Sequence, residues 1–443
     1  MKQDFIIKQL GHPTITSPLL TLGEWGFVSD NERILYDVVY QVSEDKAPNV
    51  KESFEKAGPR KELYFESKKT RAAIVTCGGL CPGLNDVIRS IVRELYFSYQ
   101  VRSIVGIPYG FNGLINLNKY KPIPLDPEVV DQIHTIGGTI LGSSRGGGDK
   151  VKEMVDNLEF LGINVLFTIG GDGTLKGSHR LVEEIEKRGL KIAIVGVPKT
   201  IDNDISYIQS SFGFETAFSL AVNAISSAHI EATNAPMGIG IVKLMGRHSG
   251  FIAANATLAM NDVNFLLIPE VSFRLEGENG LLYALEKRLL ARDHAVICVA
   301  EGAGQDILVE DTESQARDAS NNIKLEDIGI WLRNKISEYF TQRNLSVNIK
   351  YIDPSYMIRS APACANDSLY CSLLGQNAVH AAMAGKTDLV IGRWNNLYTH
   401  VPIELAISKR KHLDPYSIFW HNLMTATRQP VEIFDLDPKK LKY

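Results

Sequence analysis

At 443 residues, 44% hydrophobic and 22% charged, the chain is long enough for two α/β lobes and an extension, and its composition is far from disordered, collagenous or membrane-embedded proteins. A formal net charge of −4 provides no global basic field for nucleic-acid binding, so any phosphate must be held by local groups. The five cysteines, Cys77, Cys81, Cys298, Cys364 and Cys371, are an odd number without paired metal-ligand spacing and read as free thiols of a reducing compartment.

Residues 1–69 lack strand–helix alternation. They combine an extended piece, Ile34–Tyr40, with a charged stretch, Val42–Lys69, broken by Gly58-Pro59, and read as an N-terminal extension. The start MKQDFIIKQLGH carries no apolar leader, no run approaches the length of a membrane-crossing helix, and DPKKLKY at the end is no peroxisomal address, which predicts a cytoplasmic location. From Arg71 the pattern changes. The β-branched run RAAIVT leads into CGGLCPG and then LNDVIRSIVREL, whose apolar residues fall at helical spacing, predicting strand, loop and helix. The unit recurs in VRSIVGI, the helical VKEMVDNLEFLG, the strand NVLFTIGGDGT, the helix HRLVEEIEKRG and the strand KIAIVGVPKT. A second series follows: GIGIVKLMG, NFLLIPE, HAVICVAEG, SVNIKYIDP and DLVIGRW. Apolar strands separated by amphipathic helices predict parallel sheets covered on both faces, hence an α/β fold of two doubly wound, Rossmann-like three-layer lobes behind the extension.

Each glycine cluster follows an apolar strand, where open α/β sheets bind ligands and helix N-termini offer unpaired N–H groups to anions. The Gly78–Asn85 stretch can lay backbone N–H groups along phosphates, or can be a tight turn needing positive φ. Gly170-Gly171-Asp172-Gly173-Thr174 combines close backbone approach with one carboxylate suited to Mg²⁺ bridging phosphate oxygens. Pro198–Asp204, PKTIDND, sets Asp202 and Asp204 at the end of IAIVGV with Lys199 and Thr200 beside them. Phosphoryl transfer to an alcohol needs one such carboxylate to take the hydroxyl proton; a plain acidic turn is the alternative. Arg145 in Gly142–Gly148 and Arg247 after Leu244-Met245-Gly246 offer guanidinium forks on glycine-rich turns, which bind phosphate bidentately or, singly, serve as surface ion pairs. The histidines show no H-E-x-x-H spacing; His248, beside Arg247, stands nearest a candidate group, with a structural role as the simpler reading.

The ordered set GGLCPGLN, GSSRGGG, GGDGT, PKTIDND, KLMGR, VAEG and YMIRSA resembles the phosphofructokinase family from about Arg71 to residue 400, in its long branch with an N-terminal extension ending in Gly58-Pro59-Arg60 to Leu63-Tyr64-Phe65. The resemblance implies phosphorylation of fructose 6-phosphate by ATP with Mg²⁺, in glycolysis, by an allosteric homo-oligomer, tetramer or dimer. It implies an extension 1–69, a nucleotide lobe 70–213 plus 360–411, and a sugar-phosphate lobe 214–359 plus 412–443. It carries Gly79, Arg145 and Gly146 onto the ATP site, and Gly171, Asp172, Gly173 and Thr174 onto the donor phosphates, with Asp172 meeting Mg²⁺. It carries Thr200, Ile201 and Asp202 onto the sugar, Asp202 as general base, with Lys199, Asp204 and Arg247 in the catalytic set. Met245, Gly246, Arg247 and Glu301 fall on the fructose 6-phosphate site, together with Tyr356, Met357, Ile358 and Arg359.

Three positions depart from shorter relatives. Lys350 stands in place of an arginine, Tyr356 where histidine is common, and Gly238 in place of a basic residue that a neighbouring subunit supplies, with Lys243 a candidate substitute. The effector site of the short enzymes is not carried over. On the donor, pyrophosphate users pair a second aspartate in GGDD with a lysine in PKTIDND, whereas this chain has Gly173 with Lys199, a mixed signature. A carboxylate at 173 would occupy the space of the α-phosphate and oppose its charge, so glycine favours ATP. A pyrophosphate-dependent enzyme, a NAD or lipid kinase sharing GGDGT, and a non-catalytic regulatory subunit are the rival readings.

Overall fold

A computed structural model describes residues 5–39, 49–308 and 325–437. The strands of its two larger sheets are β1 (Arg33–Leu35), β2 (Ser53–Lys56), β3 (Arg71–Thr76), β4 (Ser103–Ile107), β5 (Ile123–Pro124), β6 (Val165–Gly170), β7 (Ala193–Pro198), β8 (Gly238–Leu244), β9 (Phe265–Leu267), β10 (His294–Ala300), β11 (Asn348–Ile352), β12 (Leu389–Trp394) and β13 (Leu397–Pro402). The helices used below are α1 (Leu84–Arg93), α2 (Asp172–Lys187), α3 (Phe214–Thr233), α4 (Phe251–Met260) and α5 (Ala365–Met383). The chain divides into two compact units: Met1–Thr200 with Ile205–Gly213 and Arg359–Arg410, and Ile201–Asp204 with Phe214–Ile358 and Lys411–Tyr443.

The sheet of the first unit runs β1-β2-β13-β12-β7-β6-β3-β4-β5. Its centre, β12-β7-β6-β3-β4, is parallel. These strands are buried, which explains their near-continuous apolar sequences. Alternate side chains such as Ala73, Val75 and Leu166 pack with Met154, Leu158, Leu181 and Ile185. Among the parallel strands β3 comes first in the chain; β4 lies on one side of it, and β6, β7 and β12 on the other. The connections therefore reverse direction between β3 and β6, where doubly wound sheets open a crevice beyond the strand C-termini.

Two assignments differ from the sequence reading. DLVIGRW, which the strand pattern alone groups with the second series and the lobe bounds place within 360–411 of the nucleotide lobe, forms β12 and pairs in parallel with β7 of the first sheet. Strand segments of this kind carry no mark of which sheet they join, since any buried parallel strand reads as the same apolar run. The residues expected as an extension belong to the first unit, adding antiparallel strands β1 and β2 beside β13 and covering an otherwise open edge. Phe5 and Phe54 lie 5.1 Å apart between ring centroids, and Tyr36 stacks on Trp394 at 5.1 Å. Lys8–Gln9 pair with Lys386–Thr387. Arg60 is buried, bonding to Asp30 at 2.6 Å and Glu55 at 2.8 Å. The extended piece is shorter than Ile34–Tyr40, with β1 ending at Leu35; Tyr40 and residues 42–48 of the charged stretch lie outside the described residues.

The second unit holds the parallel sheet β9-β10-β8-β11. Its core gathers Ile239, Ile241, Val242, Val296, Ile297 and Val299 with α3 and α4 residues such as Ala221, Ile225 and Ile252. Small residues permit this close packing: a Cβ at Gly240 would lie 2.7 Å from the Ala228 carbonyl of α3. The cysteines are free thiols, all buried except the half-buried Cys364. Among the described residues no helix is long and apolar enough to cross a membrane.

Candidate functional site

In the first unit the candidate residues stand on the loops after β3, β6 and β7, with Arg145 and Gly146 in the segment after β5 and Arg359 at the end of the short helix Ser355–Arg359. The Cys77–Gly83 loop is tied down by backbone: Cys77 N–H donates to Ile169 at 2.9 Å, Gly78 N–H to Ser144 at 2.9 Å, and the Ser143 hydroxyl to the Gly78 carbonyl at 2.6 Å. Lys199, at the end of β7, donates from Nζ to the Gly79 carbonyl at 2.8 Å. A Cβ at Gly79 would collide with the Arg359 guanidinium and lie 3.7 Å from that of Arg145. Gly79, Arg145, Lys199 and Arg359 therefore converge, three cations around one glycine of the loop. Burial pushes the Lys199 ammonium pKa down, and the charges of Arg359 and Arg145 push the same way. A second anion-seeking feature lies at the end of β6. Gly171 is the N-cap of α2, and Asp172 is the first helical residue. The free N–H groups of that turn and its dipole favour phosphate.

Asp172 is held at 2.9 Å by Lys176, one turn along α2, and lies 3.7 Å from Arg410. Neither cation was singled out from the sequence. Lys176 was legible as an i, i+4 partner, while Arg410 is far away in the chain and only tertiary structure brings it close. The residues present suit Mg²⁺: one hard carboxylate oxygen beside a helix N-terminus is how this ion is usually shared between protein and nucleotide. At Gly173 an added Cβ would meet nothing within 4 Å. Thr174 is buried, and Ser178 bonds back to its carbonyl and to the Thr168 hydroxyl, both at 2.9 Å. Gly146 adopts φ +83° in the glycine-rich turn beside Arg145. The Thr200 carbonyl accepts from the Ser211 hydroxyl, fixing the end of this unit's PKT segment.

In the second unit, Ile201 packs on the core and Asn203 takes a left-handed φ of +55°. The Asp202 carbonyl accepts from the Ser249 hydroxyl at 2.9 Å, and the Asp204 carbonyl from the Lys411 N–H at 3.0 Å. Residues 245–247 leave β8 beside the end of β10: Glu301 N–H donates to Leu244 at 2.8 Å and Gly302 N–H to Gly246 at 3.1 Å. Met245 is buried, and Gly246 has φ +131°, open to glycine but strained for other residues. Arg247 Nη2 is buried without a hydrogen-bond partner among the described residues. The His248 carbonyl accepts from His412 Nδ1 at 2.9 Å.

Several expectations receive a different placement. Arg359, expected with the sugar-phosphate lobe, falls in the first unit beside Gly79, while Ile201–Asp204 and Lys411, expected with the nucleotide lobe, fall in the second. Tyr356 and Met357 are 84% and 77% exposed, whereas Ile358 is buried. Lys243 is taken by Asp327 at 2.7 Å and Asp353 at 2.9 Å, which leaves it poorly suited to stand in for that basic residue. At Gly238 any side chain would strike the Ala232 carbonyl, so packing against α3 excludes the basic residue of shorter relatives.

The Phosphofructokinase family signature matches residues 71–382. The chain is 51% identical over 441 residues to the ATP-dependent 6-phosphofructokinase of Borreliella burgdorferi, covering 97% of this chain and 98% of that one. It is 48% identical to the Amycolatopsis methanolica enzyme of that name, covering 92% and 89%, and 47% identical to the chloroplastic ATP-dependent 6-phosphofructokinase 5 of Arabidopsis thaliana, covering 92% and 76%. In fold it is similar to a pyrophosphate-dependent phosphofructokinase from Marinobacter aquaeolei, with TM-score 0.66 at 17% identity over 81% of this chain and 91% of that one. The full-length likeness and the ordered loops on parallel strand ends lead to one assignment: the chain belongs to the phosphofructokinase family.

Proposed function

We propose that the protein transfers the terminal phosphoryl group of ATP to the 1-hydroxyl of fructose 6-phosphate, forming fructose 1,6-bisphosphate and ADP, in the cytoplasm and as a homo-oligomer. The observation that carries the donor assignment is the open space at Gly173, where no protein atom would meet a Cβ. Glycine there is not demanded by packing, and it leaves room for a nucleotide α-phosphate. The relatives at 47–51% identity bear names that specify ATP.

Asp202 is assigned as the base that takes the proton of the acceptor hydroxyl, with its backbone held by Ser249. Asp204, in the same loop, is assigned to its support. The α2 N-terminus, Gly171–Thr174, receives donor phosphates, and Lys199, Arg145 and Arg359 supply positive charge around Gly79 for the anionic transition state. Asp172 would hold Mg²⁺, which neutralises phosphate charge when bound. Arg247, with its unsatisfied buried Nη2, is assigned to the sugar 6-phosphate together with Met245, Gly246 and Glu301. Tyr356, Met357 and Ile358 are retained as sugar-site candidates on the family resemblance alone.

Lys199 favours a second donor reading, since a buried cation beside the loop also suits pyrophosphate. The test is production of fructose 1,6-bisphosphate by the purified chain with Mg²⁺ and either ATP or pyrophosphate. Turnover with ATP alone supports the proposal; turnover with pyrophosphate alone transfers the role to the other donor; silence with both supports a non-catalytic subunit.

A further inference from the structure

Residues 411–413 are stitched to the second unit by three successive contacts. Lys411 N–H donates to the Asp204 carbonyl at 3.0 Å, His412 Nδ1 to the His248 carbonyl at 2.9 Å, and Leu413 N–H to Glu270 Oε1 at 2.9 Å. Glu270 also accepts from Gly250 N–H at 2.9 Å, next to the start of α4. Lys411 is thereby fixed at its backbone, and its Nζ lies 5.1 Å from the Phe251 ring centroid, a face that attracts a cation. Burial pushes the Lys411 pKa down to about 7, and the nearby Asp204 carboxylate opposes that fall. Lys411 is half-buried, and its charge is partly withdrawn from water where an apolar side chain of similar length would fill the same space without that desolvation.

We propose that Lys411 is a positioning residue for phosphoryl transfer, its ammonium orienting the Asp204 carboxylate and its backbone N–H pinning the Ile201–Asp204 loop that carries Asp202. The proposal rests on the kinase reading above. Its role is indirect: it acts on the loop's geometry, and a displaced base lowers the chemical step more than substrate binding.

The test compares full-length Lys411→Met and Lys411→Arg with the unaltered protein, reading kcat, both KM values and Tm. In the Met variant, kcat is expected to fall roughly 10- to 100-fold, with KM for ATP and fructose 6-phosphate within about twofold and Tm equal or higher. The Arg variant is expected to recover part of kcat. A Met variant with unaltered kcat overturns the positioning role. So does a loss of kcat that tracks a loss of Tm in both variants, which would make the lysine structural. If the unaltered protein itself does not turn over, the kinase reading fails first.

Discussion

The Lys199 ammonium lies 2.8 Å from the carbonyl oxygen of Gly79, joining the end of β7 to the loop after β3. The contact explains how a buried lysine is tolerated: the carbonyl satisfies one donor while burial and two neighbouring guanidinium groups depress its pKa. It also couples the two strand ends that bracket β6. Lys199→Met is therefore expected to lower kcat/KM for ATP by about 10- to 1,000-fold, the effect of losing one charged donor in a preorganised site. Steady-state kinetics with varied ATP checks it, and an unchanged kcat/KM would confine Lys199 to structure.

Gly173 offers the sharpest test of donor choice. Because a Cβ there meets no protein atom, Gly173→Asp is expected to fold with an unaltered Tm. A carboxylate about 4 Å from a phosphate charge costs on the order of 4 kcal/mol at an effective dielectric of 20, so ATP-dependent turnover is expected to fall by about 10³-fold. Parallel assays with ATP and pyrophosphate measure it; full ATP activity would refute the steric and charge account.

Asp202→Asn keeps the shape of the side chain and removes its basicity. Loss of a positioned base is expected to lower kcat by ~10²–10⁴-fold, equivalent to roughly 3–5 kcal/mol. Fructose 6-phosphate binding, followed by calorimetry, is expected to persist. An unaltered kcat would remove Asp202 from the mechanism.

Arg247 carries a buried Nη2 without a partner among the described residues, so its removal takes away a desolvated donor that these residues do not use. Arg247→Met is expected to raise KM for fructose 6-phosphate by about 10-fold or more, the scale of a lost charge-assisted bond of about 1.5–3 kcal/mol. Tm is expected to stay level or rise. A fall in Tm with no change in KM would assign the arginine to folding instead.

Acid is expected to destabilise the first unit in two stages. His380, pushed down to about 3 by burial and by the charges of Arg60 and His400, stays neutral in the fold while the unfolded chain protonates near 6.5. Unfolding is therefore favoured progressively as pH falls from 6.5 towards 3. Burial alone would raise the Glu55 pKa, but the His400 hydrogen bond and the Lys386 charge outweigh it and hold the carboxyl well below its usual range. Its stabilising contribution is present above the unfolded value near 4.5 and is lost as pH falls through the folded value. Urea midpoints across pH 2–7.5 check this, with a slope of up to ~1.4 kcal/mol per pH unit for each group. His380→Asn is expected to flatten the slope between pH 5 and 6.5; an unchanged slope would exclude His380 as its source.

Much of the architecture was open to reading from local pattern. RAAIVT, VLFTIG and AIVGVP are short apolar runs next to glycine, and each became a buried parallel strand with a loop at its end. The ordered loop motifs likewise led to the family, because each is contiguous in the chain and carries its chemistry within a few residues. Lys176, at i+4 from Asp172, is equally accessible to helix periodicity.

What the amino-acid order determined by itself was therefore local: strands, helix starts, glycine loops and the acidic and basic residues they carry. Strand pattern did not decide that DLVIGRW joins the first sheet, and tertiary structure alone decided that the N-terminal residues cover its edge and that Arg410 approaches Asp172. It also placed Lys411 against Asp204 and barred a side chain at Gly238. The physical reason is common to all five. Hydrophobic periodicity records that a residue is buried, but its partner is selected by long-range packing and desolvation, which leave no mark at fixed spacing along the chain.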